Sequence, residues 1–310
     1  MIKHFINLKD IPASDLKKII LDAKKRKIKR KNLNTLDVDK DNPLKGKLLI
    51  QMFEKASSRT RLSFYLAIKQ LGGGTITIKA NELHLGKGGE SLADTAKILS
   101  TYGDGFMLRT DSDKKIEEFS KYLSIPIING LSPSSHPTQV LSDIFTVEEI
   151  KNKPISKLNI CWIGDSNNVL NSLIATSVKF SFNLTIGCPK NYEPKKFVID
   201  WVKKNKKKIK IYNNPEIAVR NADIIFSDKV FSLNDKVNKL KKNKDFKNFQ
   251  INSKLMSLAK KNATFLHCLP RGSEVSDEVF LGKQSRVWQQ ALNRVHVQKS
   301  ILLYCFGKLR

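Results

Sequence analysis

The sequence predicts an α/β protein made of two doubly wound parallel-sheet domains. Short apolar runs alternate with helix-like segments over most of the chain, in one series that ends near residue 129 and a second that begins near residue 158. This alternation is typical of parallel sheets that carry helices on both faces. A length of 310 residues with 40% hydrophobic residues is enough for two cores of ordinary size.

The first series opens with a helix over 11–30 and a βαβ unit. Residues 47–53 form an apolar run typical of a buried strand. Residues 58–71 are apolar at helical spacing, and this helix is expected to stop at Gly72-Gly73-Gly74, before a strand over 75–79. The remaining elements of the series are predicted as a helix over 92–100, a strand over 105–109, a helix over 115–123 and a strand over 125–129.

The second series repeats the alternation after a linker helix over 138–150. A strand over 158–163 leads through a polar turn into a helix over 169–180. Further strands are predicted over 184–188, 209–212, 222–226 and 264–267. Since their carboxyl ends meet at one edge of a parallel sheet, residues that follow these strands are candidates for a common ligand site.

The net charge of +27 first suggests a nucleic-acid-binding protein. Ten of the 56 basic residues are Arg, so the excess is mostly Lys, and its densest runs are 24–31 and 203–210. Neither run is interleaved with aromatic residues, and no nucleic-acid recognition motif accompanies them. The charge is therefore interpreted as a solvated surface that favours anionic substrates, with no specific nucleic-acid partner.

The cysteine spacing and the N-terminus indicate a cytoplasmic protein. Cys161, Cys188, Cys268 and Cys305 lie far apart, which fits neither a disulfide framework nor a zinc site, so no metal is expected. No apolar run reaches the roughly 18 residues of a membrane span, and no signal-peptide pattern is found at the N-terminus.

The turn between the first strand and its helix is the most informative stretch. Residues 57–61 read Ser-Ser-Arg-Thr-Arg. A helix N-terminus offers free N–H groups and the positive end of the helix dipole, and here hydroxyls and two guanidiniums are added. A simple N-cap would explain one hydroxyl but not two Arg in the first turn, where cations oppose the dipole. The pattern favours a phosphate site.

Other polar clusters follow the remaining predicted strands and are expected at the same sheet edges. They are Arg109, His136–Gln139, Asp165–Asn168, Asp228–Ser232 and His267–Pro270. Four of them have an ordinary alternative: Arg109 as the cap of a surface strand, His136 as a packed or capping histidine, 165–168 as an Asx turn, and Cys268 as a buried structural thiol. Their convergence is stronger than any single cluster.

Two of these clusters limit the chemistry. Gly164–Asn168 lacks the Gly-x-Gly-x-x-Gly pattern, so a dinucleotide cofactor is not expected, and its amides could instead hold an amino-acid carboxylate. Cys268 at a strand end beside cationic groups could become a thiolate.

Together these residues resemble the aspartate/ornithine carbamoyltransferase family, and most closely its ornithine-specific members. Ser57–Arg61 is similar to the family's carbamoyl-phosphate loop, with Ser58 in place of the usual Thr. His267-Cys268-Leu269-Pro270 is similar to the ornithine-type signature. Further matches are His84-Leu85-Gly86 with Glu90-Ser91 for a loop that reaches a neighbouring subunit, Arg109 with His136–Gln139 for the carbamoyl group, and Arg294 for a late carbamoyl-phosphate contact.

The resemblance implies roles for individual residues. Carbamoyl phosphate would be bound by Ser57, Ser58, Arg59, Thr60, His84, Arg109, His136, Gln139, Cys268, Leu269 and Arg294. Ornithine would be bound by Asn168, Asp228, Ser232 and Leu233. Arg109, His136, Asp228 and Cys268 would be catalytic, with no metal or organic cofactor. Leu233 and Asn234 stand where the family usually has Met and Gly, which leaves another amine, putrescine or an N-acylornithine, as the alternative substrate.

The resemblance also implies the organisation of the protein. Residues 1–137, with a C-terminal helix over 292–310 that returns to them, would bind carbamoyl phosphate, and residues 151–291 would bind ornithine. The expected activity is carbamoyl transfer to ornithine in arginine biosynthesis. The expected assembly is a homotrimer, with no membrane association.

Overall fold

The computed structural model of the chain describes residues 2–79, 89–231 and 239–309. They divide into two compact units. The first comprises Met1–Phe145 and Leu292–Arg310, and the second comprises Thr146–Ala291.

The first unit is built on a parallel sheet. Its described elements are α1 (Ala13–Lys29), β1 (Leu48–Phe53), α2 (Ser58–Gln70), β2 (Gly74–Lys79), α3 (Leu92–Tyr102), β3 (Gly105–Arg109), α4 (Asp113–Tyr122), β4 (Ile127–Leu131) and the first part of α5 (Pro137–Lys151). Its four described strands lie in the order β2-β1-β3-β4, and all pairs are parallel.

Apolar burial on both faces explains why this sheet forms. Leu49, Ile50, Gln51 and Met52 are consecutive in β1 and each is at most 2% exposed. Ile50 and Met52 pack with the α3 and α4 side chains, so the alternate residues Leu49 and Gln51 face the opposite side of the sheet. A central strand buried on both faces is the pattern of a doubly wound fold.

The second unit has a parallel sheet of its own. Its described elements are β5 (Asn159–Ile163), α6 (Asn168–Phe180), β6 (Asn183–Gly187), α7 (Lys196–Lys204), β7 (Lys210–Tyr212), α8 (Pro215–Ala218), β8 (Ile224–Ser227), α9 (Lys239–Phe246), α10 (Ser253–Ser257), β9 (Thr264–His267), α11 (Asp277–Leu281) and the start of α12 (Val287–Cys305). Its five described strands lie in the order β7-β6-β5-β8-β9, all parallel. The predicted fold class is confirmed.

The structure corrects the predicted limits of the C-terminal helix. The helix begins at Val287 rather than at 292. Val287 and Gln290, which lie in this additional turn, are each 1% exposed. It ends at Cys305 rather than at 310, and Gly307 follows with a φ of +67°. A glycine in the left-handed region shortly after the last turn is a common helix terminator. From Leu292 onward the helix belongs to the first unit.

A buried ion-pair network joins distant parts of the first unit. The carboxylate of Asp39 accepts from Arg26 at 3.1 Å, from Arg30 at 2.7 Å and from Lys299 at 2.6 Å. The Lys299 side chain is 0% exposed. Burial lowers the pKa of Lys299 to about 8, against the opposing effect of its hydrogen bond to Asp39. The network connects the end of α1 to the middle of α12.

Candidate functional site

The strand order of the first sheet reverses between β1 and β3. The carboxyl ends of these neighbours, Phe53 and Arg109, are paired in register. The turn 54–57 and the Arg109 side chain therefore leave the sheet at its topological switch point, where ligands of open α/β sheets bind.

The helix after this turn presents two serine hydroxyls at its N-terminus. Ser57 is the N-cap residue of α2, with extended backbone angles, yet among the described residues its side chain makes no capping hydrogen bond. Ser58 is exposed. A cavity of about 650 Å³ opens at this point, and both serines line it. The Ser57 and Ser58 hydroxyls lie where a helix N-terminus attracts an anion.

The Thr60 hydroxyl connects two arginines of the candidate phosphate site. The residue is 1% exposed, and its hydroxyl oxygen accepts a hydrogen bond from Arg294 at 2.9 Å and a longer one from Arg109 at 3.4 Å. Because a hydroxyl oxygen has two lone pairs, these two contacts leave its proton as the group that can reach a ligand. Three positions separated by 49 and 234 residues of chain are thereby brought together.

The site concentrates positive charge. Burial, and then the neighbouring charge of Arg59, lower the pKa of Arg109 to about 10. The pKa of His136 lies well below 6.5, because of burial first and then the charges of Arg294, Arg109 and Arg59. The His136 imidazole is therefore neutral at physiological pH. An anion bound among these cations would relieve their mutual repulsion.

Gln139 is oriented by a contact within its own helix. Its amide nitrogen donates to Asp143 at 2.8 Å, and the Gln139 side chain is buried. The donor side of the amide is thus engaged with a carboxylate. Its carbonyl oxygen remains the atom that can accept from a ligand N–H group.

Glu54, the first residue of this turn, fixes the start of the turn in place. Its backbone N–H donates to the carbonyl of Arg109 at 3.0 Å. Its carboxylate accepts from the Thr110 hydroxyl, from the Lys115 ammonium and from the Asp111 N–H. This side chain ties the start of the turn to the segment after β3.

The switch point of the second sheet lies between β5 and β8, and it also carries polar side chains. Asp228 follows β8 directly. Its carboxylate accepts from the Cys268 thiol at 3.1 Å and from the Asn167 amide at 2.7 Å. Cys268 is half-buried, whereas the other three cysteines are buried. The structure thus brings the predicted residues Asp228 and Cys268 into contact.

Gly164 permits the sharp turn out of β5 towards Asn167. Its φ is +144°, which side-chain-bearing residues rarely adopt, and a Cβ there would lie 3.4 Å from the Ser227 hydroxyl. Asn167 then caps α6, since its side-chain oxygen accepts from the N–H groups of Val169 and Leu170. The predicted Asx-type cap and a polar contact to Asp228 occur in the same residue.

The structure adds two residues to the predicted set. Asn167 contacts Asp228, and its neighbour Asn168 is the first residue of α6. An Asn directly before an apolar helix is an N-cap signal that could have singled it out. Glu54 has no such signal, because its side-chain partners Thr110 and Lys115 lie 56 and 61 residues away.

Three predicted site residues, His84, Ser232 and Leu233, lie outside the described residues. Across the described ranges, no group of three or more His, Cys, Asp and Glu side chains could hold a metal ion. None of the helices in those ranges combines the length and hydropathy that a bilayer crossing requires.

Two sequence profiles of one family match the chain. The aspartate/ornithine carbamoyltransferase profile for the carbamoyl-P binding domain matches residues 3–149. The profile for the Asp/Orn binding domain matches residues 156–305. The chain belongs to the aspartate/ornithine carbamoyltransferase family. The family predicted from the sequence motifs is therefore confirmed.

Individual carbamoyltransferases resemble the chain over its full length. The ornithine carbamoyltransferase of Brucella abortus is 42% identical over 306 residues, which cover 98% of this chain and 96% of the relative. That of Rhodopseudomonas palustris is 43% identical over 309 residues, covering 99% and 97%. The solved ornithine carbamoyltransferase of Pyrococcus furiosus has a TM-score of 0.91 at 37% identity, covering 98% of this chain and 97% of its own. The anabolic enzyme of Campylobacter jejuni has a TM-score of 0.88 at 34% identity, covering 99% of both chains.

Proposed function

We propose that this carbamoyltransferase transfers the carbamoyl group from carbamoyl phosphate to the δ-amino group of L-ornithine, giving L-citrulline and phosphate. The observation that carries the proposal is the cluster of arginines around the buried Thr60, at the N-terminus of α2. Relatives at 42% and 43% identity that are named ornithine carbamoyltransferase support ornithine as the amine.

The phosphate of the substrate is assigned to the N-terminus of α2. Ser57, Ser58 and Thr60 supply hydroxyl donors, and Arg59 supplies a charge-assisted contact. Arg294 and, by resemblance, His84 complete the set. Guanidinium groups suit this role because they stay charged and match the geometry of phosphate oxygens.

The carbamoyl group is assigned to Arg109, His136 and Gln139. Arg109 and neutral His136 donate to the carbonyl oxygen and stabilise the negative charge that it gains in the tetrahedral intermediate. Gln139 is assigned to the nitrogen of the same group. With its amide nitrogen donating to Asp143, its oxygen accepts from the carbamoyl –NH₂ group.

The amine is assigned to the polar cluster of the second unit. Asp228, Asn168, Ser232 and Leu233 hold the α-amino and α-carboxylate groups of ornithine, and Asn167 orients Asp228. Cys268 orients the δ-amine, which must be neutral to attack because an ammonium has no lone pair. The nitrogen bonds to the carbamoyl carbon, the bond from that carbon to the phosphate oxygen breaks, and the amine loses a proton. Phosphate is a good leaving group, so the proposal requires no metal or organic cofactor.

We also propose the division of labour between the two parts of the chain. Residues 1–137 with 292–310 bind carbamoyl phosphate, and residues 151–291 bind ornithine. The residues assigned to the phosphate and carbamoyl groups lie in the first compact unit, and Asp228 and Cys268 lie in the second.

A substrate panel tests the activity. The purified protein is incubated with carbamoyl phosphate and ornithine, putrescine or N-acetylornithine, and phosphate release and carbamoylated product are measured. We expect citrulline from ornithine and much slower turnover of the other two amines. Preferred carbamoylation of putrescine or N-acetylornithine would overturn the substrate assignment.

Removal of the Arg59 guanidinium tests the phosphate assignment. Arg59→Ala should lower kcat/KM by roughly 100-fold, corresponding to about 3 kcal/mol, because a charge-assisted contact is lost. Arg220→Ala is the matched control, since Arg220 is an exposed arginine of the other unit. Equal kinetics for Arg59→Ala and this control would show that the phosphate binds elsewhere.

Removal of the Cys268 thiol tests the amine assignment. Cys268→Ala should raise the KM for ornithine and lower kcat, while the affinity for carbamoyl phosphate in equilibrium binding stays within about twofold. Cys268→Ser, which keeps a hydrogen-bond donor to Asp228, should lie between the wild type and Cys268→Ala. If Cys268→Ala lost only carbamoyl-phosphate binding, the assignment of Cys268 to the amine would be wrong.

We propose a homotrimer, which the surface beside α2 supports. Leu62, Tyr65 and Ile76 are 58%, 41% and 51% exposed, and Ile76 lies on β2 at the edge of the sheet. Apolar surface at a sheet edge is typical of a protein contact. Sedimentation equilibrium should give the mass of three chains. Leu62→Glu should dissociate them, and Leu281→Glu, at a position 68% exposed, should not. A monomeric wild type would contradict the proposal.

We further propose a cytoplasmic enzyme of arginine biosynthesis. The cysteines at 161, 188, 268 and 305 are thiols outside any disulfide, which suits a reducing compartment. The Campylobacter jejuni relative is an anabolic ornithine carbamoyltransferase, which supports the biosynthetic direction. Growth of an arginine auxotroph that lacks this activity, rescued by the gene on medium without arginine, tests that direction.

A further inference from the structure

The turn that carries Cys268 has an unfavourable backbone conformation. Leu269 has a φ of +58°, in the left-handed region that branched side chains rarely occupy. Its N–H donates to Nδ1 of His267 at 2.9 Å. Conformations of this kind persist only where surrounding contacts hold them in place. The position of Cys268 therefore depends on what holds His267.

Glu274 holds His267. The His267 ring is 1% exposed and Glu274 is 5% exposed. Because Nδ1 of His267 accepts from Leu269, its Nε2 is the donor to Glu274, at 3.1 Å. The same carboxylate oxygen accepts from the Gly272 N–H at 2.5 Å. One buried side chain thus anchors both ends of the turn 267–272.

The second oxygen of Glu274 reaches the segment that carries Asp228. It accepts from the N–H of Val230 at 3.5 Å. Glu274 is therefore bonded to both segments whose side chains meet at the contact between Cys268 and Asp228. Burial raises the pKa of Glu274. The hydrogen bonds from His267 and from the Gly272 N–H lower this pKa by more than burial raises it, so the net shift is downward and the group is a carboxylate.

We propose that Glu274 is a positioning residue for the amine site: it holds the Cys268 thiol at hydrogen-bond distance from Asp228 by bracing the turn of the one and the segment of the other. Its carboxylate works through His267, Gly272 and Val230. The role deepens the proposed function, on which it rests for its kinetic effect, but the geometry of the thiol can be measured without any turnover.

The first measurement is the alkylation rate of Cys268 by iodoacetamide, followed on its peptide by mass spectrometry. Cys268 is half-buried and the other three cysteines are buried, so the native protein reports on this thiol. A nearby carboxylate disfavours the thiolate that reacts. When Glu274→Ala releases the turn from Asp228, the alkylation rate at pH 7.5 should rise about tenfold, the effect of one pKa unit.

The second measurement separates the two substrates. Glu274→Ala should raise the KM for ornithine by roughly tenfold and change the KM for carbamoyl phosphate by less than about twofold. Glu274→Gln keeps an acceptor for His267 but turns an amide donor towards the Val230 N–H, so its effects should be intermediate. Glu278→Ala is the matched control, because Glu278 is an exposed carboxylate whose partner is Ser253.

Gly272→Ala makes the test independent of the loss of a buried charge. A Cβ on Gly272 would lie 2.9 Å from the Glu274 carboxylate and would push it aside while keeping it. This variant should raise the alkylation rate and the ornithine KM in the same direction as Glu274→Ala.

The outcomes are distinct. If the Glu274 variants change both the alkylation rate of Cys268 and, selectively, the KM for ornithine, the positioning role is supported. If the variants change the alkylation rate but the wild-type protein does not transfer carbamoyl groups, the proposed function is wrong and the positioning of the thiol still stands. If Glu274→Gln and Gly272→Ala both leave the alkylation rate and the ornithine KM at control values, while Glu274→Ala only lowers the free energy of unfolding, Glu274 is a stabilising residue and the inference is wrong.

Discussion

Replacement of Thr60 by Val tests most directly the contacts of its hydroxyl with two arginines of the phosphate site. Thr60 is 1% exposed, and its hydroxyl is the shared acceptor for Arg294 at 2.9 Å and Arg109 at 3.4 Å. Valine has nearly the same shape, so the change removes one oxygen atom without leaving a cavity. The guanidiniums of buried Arg294 and half-buried Arg109 lose the acceptor that they share.

The expected loss follows from these distances. A hydrogen bond to a charged group contributes about 1.5–3 kcal/mol, and a buried donor left without an acceptor costs a similar amount. The contact to Arg294 has normal length, whereas the contact to Arg109 is long and contributes less. Thr60→Val should therefore lower the free energy of unfolding by about 2–4 kcal/mol. It should also raise the KM for carbamoyl phosphate roughly fivefold, since about 1 kcal/mol of hydrogen bonding to the anion is lost.

Urea unfolding, followed by circular dichroism, and initial-rate kinetics measure the two effects. Thr60→Ser is the control, because it keeps the oxygen and deletes one methyl group, at a cost of about 1 kcal/mol. The reasoning fails if Thr60→Val unfolds at the same urea concentration as the wild type, or if Thr60→Ser is destabilised as strongly as Thr60→Val.

Two further predictions concern buried ionisable groups in the same unit. The pKa of His136 is well below 6.5, so the unfolded chain binds a proton that the folded chain refuses, and stability must fall as the pH drops below about 6.5. Relative to His136→Gln, the wild type should lose up to about 1.4 kcal/mol per pH unit there, measured by urea unfolding at pH 5.5 and 7.5; parallel curves would contradict this. In the ion-pair network, Asp39→Asn should cost about 3–5 kcal/mol because three cations lose their carboxylate. Lys299→Met should lower the free energy of unfolding much less, since Asp39 keeps both arginines. A lower urea midpoint for Lys299→Met than for Asp39→Asn would refute this explanation.

The fold was predictable because its signals are local. The apolar run of β1, the apolar spacing of α2 and the Gly72–Gly74 stop are each readable within about ten residues. The start of α12 was not, because Val287 and Gln290 are buried by tertiary contacts that no local pattern announces. The short helices of the second unit, α8, α10 and α11, were not predicted individually, since pieces of four or five residues show no periodicity.

The candidate site divides in the same way. Its chemical groups could be predicted because Ser57–Arg61 and His267–Pro270 are contiguous and follow strands. The brace by Glu54 and the contact from Asn167 to Asp228 depend on residues dozens of positions apart, so only the folded chain reveals them. The orientation of Gln139 by Asp143 likewise depends on which way a buried amide points.

The sequence by itself determined the class of the fold, the family and the kind of ligand, because strand–turn–helix patterns and charged turns are encoded in neighbouring residues. The tertiary structure decided which groups act on each other. It joins Arg109 and Arg294 on the Thr60 hydroxyl, leaves His136 neutral among three arginines, and sets Cys268 against Asp228. These properties arise from distance and burial, which depend on the packing of remote segments and not on the order of residues along the chain.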